Sequence, residues 1–421
     1  MIRYLLSGWL VCVGWGLFAA NEWPQFRGPA GDGQTTSRKL PLTFTESDNV
    51  VWQVDIPGQG WSSPVVSEGM IWMATATDEG KSLRAIAVDR KTGALRHNVE
   101  LFQVAAPEPI HALNSHASPT PVIEDGRVYF FFGMYGAAAL DSQTGEVLWK
   151  NTDLPHDHGK NGPGSSPILW RDLLILNCDG TVHRYVTALN KKTGKTVWRT
   201  ERSNGADLEG KVGDLKKAYH TPTVIQVNGR EELISMGAFR LGGYDPATGK
   251  ELWYVDIPGF SNVTRPVYGH GLIYLATGFM KPEFWAIRPG GSGDVSATHV
   301  AWKVARQAPQ KPSPVLIGNE VYMVADNGIV TCMDAREGTI HYSERLGGEF
   351  SASPLVMGDR IYFFDQTGKV TVLAAGKKFE VLGTSSLGDG FMASPAVAGD
   401  SLILRSKSKL YRVEARPKVE G

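Results

Sequence analysis

His156, Asp157 and His158 alternate inside the loop NTDLPHDHGKNGPGSSP, with His111 upstream in PIHALNSH. Two imidazoles and a carboxylate can hold a divalent cation. Alternation in a glycine-rich loop is not a stringent ligand spacing, and solvent-exposed loop residues are the competing reading. A second set is scattered along the chain: Ser62, His116, Ser165, His220, Arg265 and Lys311, with Ser351 and Met392. Each stands at or just before one of eight regularly placed prolines. If those prolines mark equivalent points, the set converges, and two histidines, an arginine and a lysine form one cationic mouth. Such a mouth suits an anionic ligand, with Arg265 able to bind it bidentately. The competing reading is a solvated rim. Mutual positive potential would hold His116 and His220 below a free imidazole. The sequence holds no nucleophile elbow, phosphate-binding loop or paired catalytic carboxylates. The glycine-rich run 289–293 follows no strand-to-helix pattern, so it is not a dinucleotide motif.

What would position these residues is a repeat. ALDSQTGEVLW (139–149) is echoed by AVDRKTGALRH (87–97), ALNKKTGKTVW (188–198), GYDPATGKELW (243–253) and, worn, CMDAREGTIHY (332–342). The landmark prolines follow Ser63, Ser118, Ser166, Thr221, Arg265, Ser313, Ser353 and Ser394, giving eight units spaced by 40 to 55 residues. Repeats of that length mean a solenoid or a propeller. After each proline, β-branched and aromatic residues flank tight Gly turns, as in PVIEDGRVYFFFG, and no long segment has helical period. Four antiparallel strands per unit and no helices predict an all-β, eight-bladed propeller. Asp89 with Gly93, Asp141 with Gly145, and Asp245 with Gly249 make the recurring turn, joined by Gly194 in the third copy. Asp accepts backbone N–H bonds there and Gly takes the positive φ. Trp149, Trp198 and Trp253 read as apolar plates between blades. The eighth unit lacks its last strand, and the orphan NVVWQVDI (49–56) is expected to supply it beside 410–415, closing the ring.

The D–A connections 98–117, 150–165 and 199–220 are long and share one face, where a binding site is expected. Lys plus Arg and Asp plus Glu both total 43, which gives none of the basic excess of a nucleic-acid binder. Residues 1–20 carry one charge, Arg3, before an apolar run ending in Ala19-Ala20, the layout of a cleavable export signal. The expected organisation is a signal at 1–20, a lead segment at 21–48, the propeller at 49–415 and a tail at 416–421. No stable membrane span remains after cleavage.

The Ala-x-Asp-x-x-Thr-Gly-x-x-x-Trp phrase resembles the signature of the pyrroloquinoline-quinone-like repeat family, over residues from about 50 to 415. That family includes quinoprotein alcohol dehydrogenases and the assembly lipoprotein BamB. WPQFRGPAGDGQTT (23–36) and AIRPGGSGDVSATHVAWKV (286–304) are similar to a planctomycete-type subgroup of exported quinoprotein-like propellers. The dehydrogenase branch implies pyrroloquinoline quinone and calcium at the axis, with an adjacent cysteine pair stacked on the quinone. Here Cys12, Cys178 and Cys332 are far apart, no Cys-x-x-Cys-His is present, and the calcium ligands map onto no positions. The BamB branch implies a protein or envelope partner on the long-loop face and no cofactor. The expectation is therefore an exported, periplasmic or extracellular, non-catalytic propeller. A minimal quinoprotein oxidoreductase, or a binder of a small anion or sugar at the mouth, are the alternatives.

Overall fold

The computed structural model describes residues 22–203 and 210–415. The signal expected at 1–20 and the tail at 416–421 lie outside them. Eight sheets, each with four antiparallel strands A to D, form the propeller. Seven of the eight A strands are three residues long, from Val65–Ser67 in blade 1 to Ala396–Ala398 in blade 8. B and C strands are buried on both faces because each blade is sandwiched between two others. All seven residues of Leu173–Asp179 are buried, which is why these strands read as continuous apolar runs. D strands are edges with one covered face and alternate, as in Val50–Asp55. That last strand pairs antiparallel with Lys409–Glu414, Trp52 opposite Arg412, so the N-terminal strand completes blade 8 and closes the ring.

The repeated phrase joins one blade to the next. Asp141 Oδ1 accepts from the amides of Gln143 at 2.9 Å and Thr144 at 2.7 Å, and Gly145 closes the turn at φ 71°. A bulge follows in the C–D pairing of every blade; in blade 2 it lies between Val147 and Trp149. The bulge re-aims the Trp toward the following blade. Trp149 donates Nε1–H to Lys191 O at 3.0 Å and lies flat on Gly194, where a Cβ would fall 2.5 Å from the indole. Trp198 covers Gly249, Trp52 covers Gly93 and Trp302 covers Gly338 in the same way. His97 takes the Trp place in blade 1 and covers Gly145, donating to Gln143 O at 2.9 Å. The glycine is thus required twice, by φ and by the ring resting on it.

Trp253 departs from this pattern. Blade 5 replaces the turn it would cover with the 286–304 excursion, whose Gly293–Asp294 adds a parallel strand along Trp253 and Tyr254. Trp253 turns inward and bonds Glu232 Oε2 at 2.7 Å.

The lead segment runs through the central channel. Trp23 exchanges two backbone bonds with Val66, Pro24 O accepts from Ile123 N, and Val356 N donates to Gly33 O. Arg27 Nη2 donates to Pro314 O at 2.6 Å. These partners lie in the inner strands of blades 1, 2 and 7 and just before that of blade 6, so the segment crosses the axis.

Candidate functional site

A cavity of about 490 Å³ opens on the long-loop face at the axis. Its base is a ring of side chains, one from each residue that precedes a landmark proline. Ser63 N donates to Thr120 Oγ1 (3.0 Å), Thr120 N to Ser166 Oγ (2.9 Å) and Ser166 N to Thr221 Oγ1 (3.1 Å). The ring resumes with Arg265 N to Ser313 Oγ (2.9 Å), Ser313 N to Ser353 Oγ (3.0 Å) and Ser353 N to Ser394 Oγ (2.9 Å). Ser394 N closes it on Ser63 Oγ at 3.0 Å. The one missing link is from blade 4 to blade 5, where Arg265 offers no hydroxyl. Blade 2 contributes Thr120-Pro121 to this ring, two residues downstream of the Ser118-Pro119 that the sequence marks first.

Strand alternation decides what else faces the axis. Residues two before the ring share its side, and all eight line the cavity: Trp61, Ser118, Gly164, Tyr219, Val263, Lys311, Ser351 and Met392. Residues one before the ring point into blade interfaces. Ser62 Oγ accepts from Ala74 N at 3.1 Å, and Ser165 Oγ donates to His220 O at 2.7 Å. His220 donates Nδ1–H to Thr264 O at 2.9 Å and is wholly buried, which depresses its pKa to about 3. The main cause is burial, with the Arg202 and Arg265 charges adding to it. His116, further upstream, donates Nε2–H to Glu108 O at 2.9 Å and packs over Gly80.

The expected cationic mouth is therefore not assembled. Of His116, His220, Arg265 and Lys311, only Lys311 lines the cavity, and it pairs with Asp326. Arg265 is turned beneath the floor, where it donates to Phe26 O at 2.7 Å and to Gln25 Oε1. Uniform counting from each ring residue would have found Trp61 and Tyr219, because a period of two fixes the side. The expectation mixed odd and even offsets.

The histidine loop likewise does not gather a cation site. Asp157 Oδ1 accepts from the amides of Thr181 (2.8 Å) and Val182 (3.1 Å), on the neighbouring hairpin. His156 donates Nδ1–H to Leu154 O, and its ring meets that of His158 edge-on at 4.8 Å. Both rings are buried rather than solvated, and desolvation depresses His156 to about 4 and His158 well below the ordinary value. Among the described residues, no group of three His, Cys, Asp or Glu side chains is arranged to hold a metal.

The floor is Phe26 of the lead segment, which makes the channel a blind cavity. Arg265 anchors that floor, and Gly31 packs so closely on it that a Cβ would lie 2.3 Å from the guanidinium carbon. The wall mixes hydroxyls with Trp61, Tyr219, Phe260 and Phe279. Phe260 stands between Phe239 and Phe279 with ring centroids 5.9 Å from each. Lys160 is paired with Asp214, the only carboxylate among the described lining residues. Calcium takes about six to eight oxygens with several carboxylates among them. Together with buried Cys178 and Cys332 in separate blades, this donor set does not fit a calcium–quinone centre.

The described residues include no helix long and apolar enough to cross a membrane. The chain matches the family model described as outer membrane protein assembly factor BamB over residues 34–175 and 237–416. It is 31% identical over 140 residues to the quinoprotein ethanol dehydrogenase of Pseudomonas aeruginosa, covering 31% of this chain and 22% of that protein. It is 32% identical over 92 residues to BamB of Salmonella typhimurium, covering 22% of this chain and 23% of that one. The matched stretches therefore span under a quarter of either relative's length. In structure it is similar to a europium-containing methanol dehydrogenase, with a TM-score of 0.68 at 11% identity over 94% of this chain and 98% of that one. That likeness is one of fold. Eight blades, the Asp–Thr-Gly–Trp joints and this match make the chain a member of the PQQ-like repeat β-propeller family.

Proposed function

We propose that the protein is a non-catalytic binding propeller of the cell envelope that engages its ligand or partner at the axial cavity of the long-loop face. The observation carrying this reading is the cavity itself: blind, part aromatic and part hydroxyl-lined, with its one wall carboxylate already paired. Pockets that bury small ligands are about 300–1,000 Å³ and combine apolar walls with a few polar groups. Catalysis would need an acid, base or nucleophile activated by a neighbour. Lys311 is instead ion-paired with Asp326, and Lys160 with Asp214. Likeness to BamB supports a role through binding, and the apolar run at 1–20 supports export.

The test has two arms. The purified protein is incubated with pyrroloquinoline quinone and calcium, then assayed for dye reduction with alcohols and aldose sugars. Separately, its melting temperature and Trp emission are followed against a panel of envelope-derived peptides, glycans and small carboxylates. Expected are no turnover and at least one stabilising panel member whose effect is lost in Trp61→Ala. Dye reduction in the first arm refutes the reading.

A further inference from the structure

The chemistry of the axial cavity selects a class of ligand, an inference that rests on reading the cavity as the binding site. Each ring hydroxyl has given one lone pair to a neighbouring blade's amide. The six that line the cavity are Ser63, Thr120, Ser166, Thr221, Ser353 and Ser394. Among the described residues none of them donates its own hydrogen to a protein acceptor; in every bond described, the hydroxyl oxygen accepts. With one lone pair held along the ring, each O–H is left for the axis. The repeat thus builds a tier of hydroxyl donors, and donors bind charged oxygen acceptors more strongly than neutral ones.

The surrounding charge leans the same way. Lys160 and Lys217 share Asp214, Lys311 meets Asp326, and Arg27 and Arg265 lie beneath the floor with Asp32. Glu108 also lies near Lys217, so the excess is confined to the two guanidiniums beneath the ring, which face Asp32 alone among the described carboxylates. Nε of Arg265 and Nε and Nη1 of Arg27 are buried without hydrogen-bond partners, so the positive charge under the ring is not quenched by contact. The tier above has a different character. Trp61 and Tyr219 stand on the wall with Phe260 and Phe279 toward the rim. Among the described residues the Trp61 N–H is buried without a partner, and the hydroxyl of Tyr219, a residue 8% exposed, is buried with the cavity-lining Asn161 side chain facing it. A buried polar group left unpaired is costly unless a ligand or water satisfies it.

We propose that the cavity binds a carboxylate carried on a six-membered ring, the carboxylate seated on the hydroxyl tier and the ring lodged against Trp61 and Tyr219. Two sources share this chemistry, an acidic sugar and an aromatic acid. Isothermal titration of the purified protein with galacturonate, galactose, benzoate and benzyl alcohol separates them. At least one carboxylate binds, and its neutral counterpart binds at least tenfold more weakly; the tighter of the two carboxylates identifies the source. Tyr219→Phe weakens that carboxylate about threefold to tenfold. Lys311→Met, which leaves the ring hydroxyls in place, weakens the carboxylate and not the neutral compound. Galactose binding as well as galacturonate, benzyl alcohol as well as benzoate, or no carboxylate binding at all overturns the proposal. So do unchanged affinities in both variants. A peptide or neutral glycan that stabilises the protein in those circumstances leaves the binding reading intact, whereas quinone-dependent turnover removes the reading itself.

Discussion

The joint between blades 2 and 3 allows a quantitative test of why the repeat is spelled as it is. Trp149 is 9% exposed and rests on Gly194, whose φ is 70°. Trp149→Ala removes a buried aromatic, worth about 3–5 kcal/mol. Gly194→Ala acts through two separable causes. A left-handed backbone costs a side chain about 1–2 kcal/mol, and a Cβ 2.5 Å from the indole adds an overpacking cost of about 1–3 kcal/mol. In the double variant the indole is gone, so only the backbone cost of the Gly change remains. The two changes together should therefore destabilise by about 1–3 kcal/mol less than the sum of the singles. Urea unfolding of the four proteins measures this, provided the slope with denaturant is common to all. Additivity within about 0.5 kcal/mol would show that the glycine serves the turn alone and that the indole is not seated on it.

Three further outcomes follow from buried groups. His156 and His220 are held down to about 4 and about 3, and His158 well below 6.5, mainly by burial, so the unfolded chain binds more protons than the native one. Their stabilisation is complete above pH 6.5 and is lost as pH falls from there toward 4, at about 1.4 kcal/mol per histidine per unit. A urea midpoint that stays flat between pH 7 and 5 would contradict their burial. Cys178 and Cys332 are free and buried, and burial raises both thiols, Cys332 to about 12; a thiol reagent should label neither in the native protein and both in urea. Arg265→Ser supplies the missing ring hydroxyl yet releases Gln25 and Phe26. Trypsin should then cut after the otherwise buried Arg27, and native-like resistance would refute the anchoring.

Architecture was legible because each link of it is local. Thr-Gly spacing, the Gly turns and the orphan Trp52 strand each report on a few consecutive residues, and closure then follows from counting strands. The site was legible only in part. Lys311, Ser351 and Met392 were placed at the axis by proline counting, but Ser62, Ser165 and His220 are one residue out of phase, and a slip of one turns a side chain to the other face. The lead segment could not be read as a floor, because its bonds to Val66, Ile123 and Val356 join residues far apart in sequence through backbone atoms that carry no side-chain signature.

The ring and the floor explain one another. A ring of eight Ser or Thr residues would satisfy every amide and leave the axis open beneath it. Replacing one hydroxyl by Arg265 gives up one hydrogen bond, worth about 1 kcal/mol, and extends a long cation under the ring. There its head donates to Phe26 O and Gln25 Oε1, and Gly31 closes over it at a distance no other residue could match. The lead segment is thereby fixed across the channel, and Phe26 becomes the base of a pocket instead of one wall of a passage. The single break in the repeat at the axis thus falls where a symmetric scaffold is converted into a closed site, and the six hydroxyls that line it act only as acceptors in the bonds described along the ring.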